Sequence, residues 1–278
     1  MSPSVLEYRR FAPPAAAAWF VEHLWVVRTP GDAPRVLEVF LPNGRPSVLV
    51  RLGALGTRID PVTGARTADD SGVVGIAVDP HVVELAPGSA FVGAQLAPYG
   101  LAALSPDRLL VDESAPLTHV LPPAVAARLA GRLAGLDDAQ AVAVLGGELA
   151  AGVRRRTPPE RLDLLETLMA VIDSQRGLVR AIDLARAGGV SIAALHRCCV
   201  EEMGVQPVTF LRATRFFYFV GELAGAPPWP AATVLSAMRT YVATEPAPRE
   251  LERFTGLSPA QHRLALHGIE ELLASATR

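Results

Sequence analysis

Arginine supplies every basic side chain in this sequence: all 26 Lys-plus-Arg residues are Arg, against 28 acids and 6 histidines. The bias fits GC-rich coding. A guanidinium is also a planar, permanently charged fork, a better bidentate partner than lysine for phosphate and guanine. Other chemistries lack their parts. The two cysteines, Cys198 and Cys199, are adjacent; on a helix neighbours point about 100° apart, which keeps both thiols off one ion. They make no disulfide framework, which fits a reducing compartment. His23, His81, His119, His196, His262 and His267 show no paired ligand spacing with a carboxylate, so no metal site is expected. There is no glycine-rich phosphate loop, nucleophile elbow or metalloprotease motif. The chain is therefore not expected to be an enzyme or to hold a cofactor.

The elements that position these side chains fall into two groups. At 278 residues, 50% apolar and 19% charged, the chain is too apolar for disorder and long enough for two domains. Residues 1–153 carry 11 arginines against 15 acids, and residues 154–278 carry 15 against 13. The second half is thus only mildly basic, less so than most strong nucleic-acid binders. Arg9-Arg10 followed by an Ala/Pro-rich apolar run imitates an export signal, but Pro13, Pro14 and the Glu22-His23 ending read as a loop entering a strand. No run of 18 apolar residues exists. A cytoplasmic location and no membrane partner are expected.

Short aromatic and β-branched runs at 19–28, 36–41, 47–52, 73–78, 81–85 and 91–96 predict strands, with a turn at Pro42-Asn43-Gly44 and a hairpin-like signal at Asp79-Pro80. A short helix is expected at 98–104. Val125, Leu129 and Leu133, then Val142, Leu145 and Leu149, give two helices that close this part. Arg154-Arg155-Arg156 reads as a solvated linker, or as a phosphate contact. Thr157 through Glu160 has the form of a capping box opening a helix with a stripe of Leu162, Leu165, Leu168 and Ile172. Helices follow at 178–187, from Ser191 to a stop at Gly204, from Pro207 to 223, then after a break at 225–230 at 231–241, 249–254 and 259–274. The last begins with a second capping box, Ser258 to Gln261. The fold class expected is α+β: a β-rich, barrel- or sandwich-like sensing domain at 1–153 ending in two helices, then an all-α domain at 157–278.

Leu184-Ala-Arg-Ala-Gly-Gly-Val-Ser191, followed by Ile-Ala-Ala-Leu195, has the grammar of a helix-turn-helix: a helix ending at glycine, an apolar anchor, and a serine cap launching the next helix. Leu195 would face the core; Ala193, His196 and Arg197 would face outward. Arg197 would then be free for a partner outside the chain, or else pair with Glu201 one turn on.

The wider pattern is more specific. Ser191-x-x-x-Leu195-x-Arg197, Glu202-Met-Gly204-Val-Gln-Pro207 and Phe210-Leu-Arg-Ala-Thr-Arg215 resemble the first half of the AraC/XylS family of transcription regulators. Tyr241, Arg249 and Leu251-Glu-Arg-Phe-Thr-Gly-Leu-Ser-Pro-Ala-Gln-His-Arg263 are similar to the family's second helix-turn-helix. The resemblance covers about residues 160–265. It implies a double helix-turn-helix with DNA contacts at Ser191, Ala193, His196, Arg197, Arg212, Arg215, Arg249 and Arg263. The partners it implies are double-stranded DNA, RNA polymerase and a small-molecule effector, and a homodimer is compatible with it. Glu22-His-Leu-Trp25, Leu41-Pro42-Asn43-Gly44 and Gly93-Ala-Gln-Leu-Ala-Pro-Tyr-Gly100 are similar to an uncharacterised N-terminal domain often fused to such regulators, which implies sensing or dimerisation there. Trp19, Trp25, Phe40, Phe91 and Tyr99 would line a ligand pocket or simply form that domain's core.

Two departures stand out. Cys199 takes a position the family usually gives to Phe, leaving space that Phe216, Phe217 and Phe219 would have to fill. The second reading helix begins Glu245-Pro246-Ala247-Pro248-Arg249, leaving Arg249 as nearly its whole reading surface. An asymmetric reader is the expectation. The alternative is a ligand-binding or protein-interaction module whose DNA reader has decayed.

Overall fold

The computed structural model describes residues 6–225 and 229–276. Ten strands form two antiparallel sheets. The six-stranded sheet has the order β1 (Glu7–Phe11), β2 (Val21–Arg28), β9 (Ala90–Leu96), β4 (Ser47–Arg51), β7 (Gly72–Val74), β10 (Ser114–Ala115). The four-stranded sheet runs β3 (Val36–Phe40), β8 (His81–Leu85), β5 (Gly56–Ile59), β6 (Arg66–Asp69). The first three helices are α1 (Gly100–Leu104), α2 (Pro123–Leu133) and α3 (Asp138–Ala151). Then come α4 (Pro159–Ser174), α5 (Ala181–Ala187), α6 (Ile192–Met203), α7 (Pro207–Ala224), α8 (Ala231–Val242), α9 (Pro248–Thr255) and α10 (Pro259–Ala276).

Side-chain alternation along the strands builds a layered body. One face of the six-stranded sheet, with Leu24, Val26, Val48, Val50 and Val92, packs on Leu129, Leu133, Leu145 and Leu149 of α2 and α3. Its other face meets the four-stranded sheet through Leu49 and Phe91 against Val83 and Leu85. The outer face of that second sheet, Leu37, Val39, Ile59 and Val82, is covered by Phe216, Trp229, Val234, Met238 and Ile269 of the helical half. Val39 N donates to Trp229 O at 3.4 Å, so the strand edge and the start of α8 share backbone pairing. A further core joins Ile76, Ala97 and Tyr99 to α4–α7.

Several expectations change. Residues 73–78 and 81–85 do not form a hairpin: β7 and β8 belong to different sheets. Asp79-Pro80 is the crossover between them, anchored where Val78 N donates to Asp112 Oδ1 at 2.6 Å. Thr157 does not cap α4. Pro158 is the N-cap, which puts the threonine hydroxyl a residue too early, buried and with no hydrogen-bond partner among the described residues. Residues 154–156 are the expected irregular segment, with Arg154 and Arg156 exposed, but the segment is tied down rather than free. Arg154 N and Arg155 N donate to Ala103 O at 2.8 and 3.1 Å. The Arg155 guanidinium pairs with Glu202, which is fully buried in α6, and Arg156 lies over the Trp19 ring. Helix α5 starts at Ala181 rather than 178, because Arg176 and Gly177 both take positive φ and redirect the chain. Of the break expected at 225–230, residues 226–228 lie outside the described residues. The Ser258–Gln261 capping box forms in both directions, at 3.0 and 3.3 Å.

Candidate nucleic-acid interface

Helix α6 is held at both ends by its own sequence. Ser191 Oγ accepts from Ala194 N at 3.1 Å, satisfying one N–H of the first turn. Gly204, at φ +75°, ends the helix. Leu195, Cys198, Cys199 and Met203 turn inward onto Leu165, Leu168, Ile172 and Leu184. Ile192, Ala193, His196, Arg197 and Val200 remain exposed. The outward set predicted from sequence, Ala193, His196 and Arg197, is therefore present, and Ile192 and Val200 extend it.

Arg197 has no hydrogen bond or ion pair among the described residues. Glu201, its candidate partner, accepts instead from Arg161 of α4 at 2.6 Å. Arg180 and Arg186 both hold Asp183, at 2.5 and 3.0 Å. Burial pushes the Cys199 thiol up to about 12 and raises Cys198 as well. Thiols held this far from ionisation are poor nucleophiles and poor metal ligands.

The phenylalanine cluster does not fill the space beside Cys199. Phe216, Phe217 and Phe219 belong to the other helical core, with Trp229 and Tyr241 around them. Phe210 and Leu211 share the core of Cys199 instead.

The second unit, α8–α9, is differently charged. Helix α9 has eight residues and no side-chain cap. Arg249 and Arg253 are exposed on it, but so are Glu250 and Glu252, and Glu245 lies in the preceding turn. Arg263 is exposed on α10. Arg212 and Arg215 are half-buried. Arg215 Nε donates to Gly177 O at 2.8 Å, and burial lowers its pKa. The Arg212 carbonyl lies so close to Gly256 that a Cβ there would come within 2.0 Å of it. Both arginines thus sit where α7 packs against its neighbours.

The five aromatic candidates for a ligand pocket are not brought together. Trp25 and Phe91 face the space between the sheets. Phe40 is 50% exposed and stacked on His81. Trp19 and Tyr99 line a cleft of about 190 Å³ between the sandwich and α4, with Glu22, Arg45, Glu166 and Asp173. That cleft contains an ion network the sequence reading missed. Arg45 Nε donates to Glu22 Oε1 and Nη2 to Asp173 Oδ2, both at 2.8 Å, and Tyr218 of α7 donates to the same aspartate. Desolvation by burial, then the hydrogen bond to Asp173, hold the Tyr218 phenol above its ordinary range. The Pro42-Asn43-Gly44 turn positions Arg45, though nothing in that turn announces its distant partners. Asn43 Oδ1 accepts from Arg45 N at 2.9 Å. Gly44, at φ +72°, has the Phe210 ring 2.4 Å from where a Cβ would stand, so both backbone and space demand glycine.

The space between the sheets also holds Glu38, next to Leu37 and Val39 on β3 but pointing the opposite way. It is 4% exposed, without a hydrogen bond or ion pair among the described residues, and burial pushes its pKa up to about 7. His23 and His81 are lowered to about 4 and about 3, chiefly by burial and then by nearby arginines.

Among the described residues no group of His, Cys, Asp and Glu is arranged to hold a metal ion, and no helix is long and apolar enough to cross a membrane.

No family model and no curated protein matches the chain. Among solved structures, ToxT from Vibrio cholerae is 10% identical, with 95% of this chain and 99% of that one covered at a TM-score of 0.39. ToxT from Vibrio cholerae O395 bound to (E)-4-(8-methylnaphthalen-1-yl)but-3-enoic acid gives 10% identity, 95% and 100% coverage and a TM-score of 0.38. The AraC-like transcriptional activator CuxR gives 14% identity, 77% and 86% coverage and a TM-score of 0.29. All three likenesses are remote.

Proposed function

We propose that this chain is a sequence-specific DNA-binding transcription regulator of the AraC/XylS type, in which α6 enters the major groove and α9 contributes mainly phosphate contact. The observation that supports this reading most is Arg197: an exposed guanidinium, without a partner among the described residues, on the outward face of a capped helix, its candidate partner Glu201 being taken by Arg161. A helix-turn-helix presents the first turns of its second helix to base edges, and a bidentate Arg–guanine contact contributes about 1–3 kcal/mol of discrimination. On helix α9 the interleaved acids weaken, without cancelling, the phosphate contact that Arg249 and Arg253 offer, and leave little surface for reading bases. No catalysis enters this reading.

The Arg45 network lies at the seam between the sandwich and the first helix-turn-helix. A small molecule seated in the cleft beside it would favour one arrangement of the two halves, which is the only way a ligand can shift such an equilibrium. RNA polymerase and a second copy of the chain are partners consistent with the same reading.

A salt titration of fluorescence anisotropy on duplex fragments flanking its own gene tests it. The expected result is a steep salt slope with a sequence-specific footprint. Arg197→Ala should lose sequence preference, while Arg249→Ala should lose affinity evenly across sequences. Equal loss of specificity from both variants would refute the asymmetric reader. The balanced charge of α9 favours a second reading, a ligand-binding or protein-interaction module with a decayed reader. Tight small-molecule binding with no DNA retained at low salt would establish that one instead.

A further inference from the structure

We infer that α6 recognises the C5 methyl group of thymine, with Ile192 as the principal contact and Ala193 beside it, next to the base contacted by Arg197. The inference rests on the DNA reading above and specifies what that helix selects. Ile192 is the first residue of the helix and Ala193 the second, the positions that a recognition helix carries deepest toward base edges. Ile192 is 51% exposed. The one hydroxyl at this end, Ser191, is engaged with Ala194 N. The leading turn therefore offers methyl and methylene groups and no hydrogen-bonding side chain. In the major groove the apolar feature a base pair presents is the thymine methyl; every other distinguishing feature is a donor or acceptor. A leading turn that is apolar beside an unpaired guanidinium is thus suited to thymine adjoining guanine, and unsuited to cytosine, whose amino group it would desolvate without replacement. Val200, also exposed, extends the same apolar surface along the helix.

The test is selection of the intact protein on random duplex pools amplified with dTTP or, in parallel, with dUTP, which removes only the methyl. The wild-type chain should enrich thymine at a fixed offset from guanine in the first pool. In the uracil pool it should lose that preference while keeping the guanine. On the selected duplex, replacing the one thymine by uracil should weaken binding about fourfold, the effect of one methyl-sized group left in water. Ile192→Ala, at an exposed site, should bind the thymine and uracil duplexes alike and leave the salt slope unchanged, since no phosphate contact is lost. Equal binding of both duplexes by the wild-type chain would overturn the inference. So would an Ile192→Ala variant that still discriminates, or one whose salt slope falls by about one contact, which would mean the residue acts by placing the backbone. These outcomes leave the DNA reading standing. A wild-type chain that enriches no sequence and retains no duplex at low salt removes the DNA reading and this inference together.

Discussion

Two charged residues carry opposite lessons about burial. Arg197 is exposed and has no partner among the described residues, so its charge is available to one from outside. Glu38 is buried with no partner among the described residues, so its charge is suppressed. Its carboxyl titrates near 7 in the folded chain against 4.5 ordinarily, which means the folded state binds the proton more tightly than the unfolded one. Stability from this group is complete below pH 4.5 and is lost as pH rises through 7. Glu38→Gln keeps the shape and removes the titration. The variant should gain on the wild type between pH 5 and 8, by an amount on the order of 3 kcal/mol at the upper end. Melting temperatures of the two proteins across that range check it, and a difference independent of pH would show that Glu38 finds a partner when ionised. His23 and His81 act in the other direction, being neutral when folded and losing stability as pH falls. The comparison cancels them, because both proteins carry both histidines.

At the scale of elements, α6 depends on its cap. Ser191→Ala should cost about 1 kcal/mol, read as a fall in melting temperature, and should loosen the turn that presents Ile192 and Ala193. An unchanged melting temperature would mean that tertiary packing alone holds this end. The helical half was legible from sequence because its signals are local: Ser191 and Gly204 bracket α6, Pro207 opens α7, and the stripe of Leu165, Leu168 and Ile172 states its buried face. The misreadings came where a neighbour decides. Strands β5 and β6 are four residues each, too short for alternation to register. Asp79-Pro80 looked like a hairpin because both flanking runs are strand-like, yet only tertiary pairing says which sheet each joins. Thr157 had the right composition for a cap, but Pro158 shifted the helix by one residue. The outward set on α6 was readable from spacing; Ile192 was passed over because an apolar residue at a helix start usually reads as core. The Arg45 network joins residues 22, 45, 173 and 218, a separation no local pattern encodes.

Across the whole molecule, the two halves share their cores. Leu37, Val39, Ile59 and Val82 are covered by residues that come more than a hundred positions later, and Arg155 is tied to a buried glutamate inside α6. Residues 157–278 expressed alone would leave Trp229, Phe216 and Val234 without their wall of strand residues. That fragment should bind a hydrophobic dye and melt without a sharp transition, where the full chain melts cooperatively. A fragment with a cooperative transition at the full chain's melting temperature would show that the helical half stands by itself. The same sharing means that a movement of β3 is felt directly at α8, through the bond from Val39 N to Trp229 O.

That shared wall also sets the order of events during synthesis. Strand β8 is complete at Leu85, but Ile269, the last fully buried residue of its covering, is added some 184 residues afterwards. At translation speeds of roughly 5–20 residues per second, a ribosome would hold an oily β surface open to the cytosol for about 10–40 s. The N-terminal half thus emerges with an apolar wall uncovered, which closes only when α7, α8 and α10 arrive.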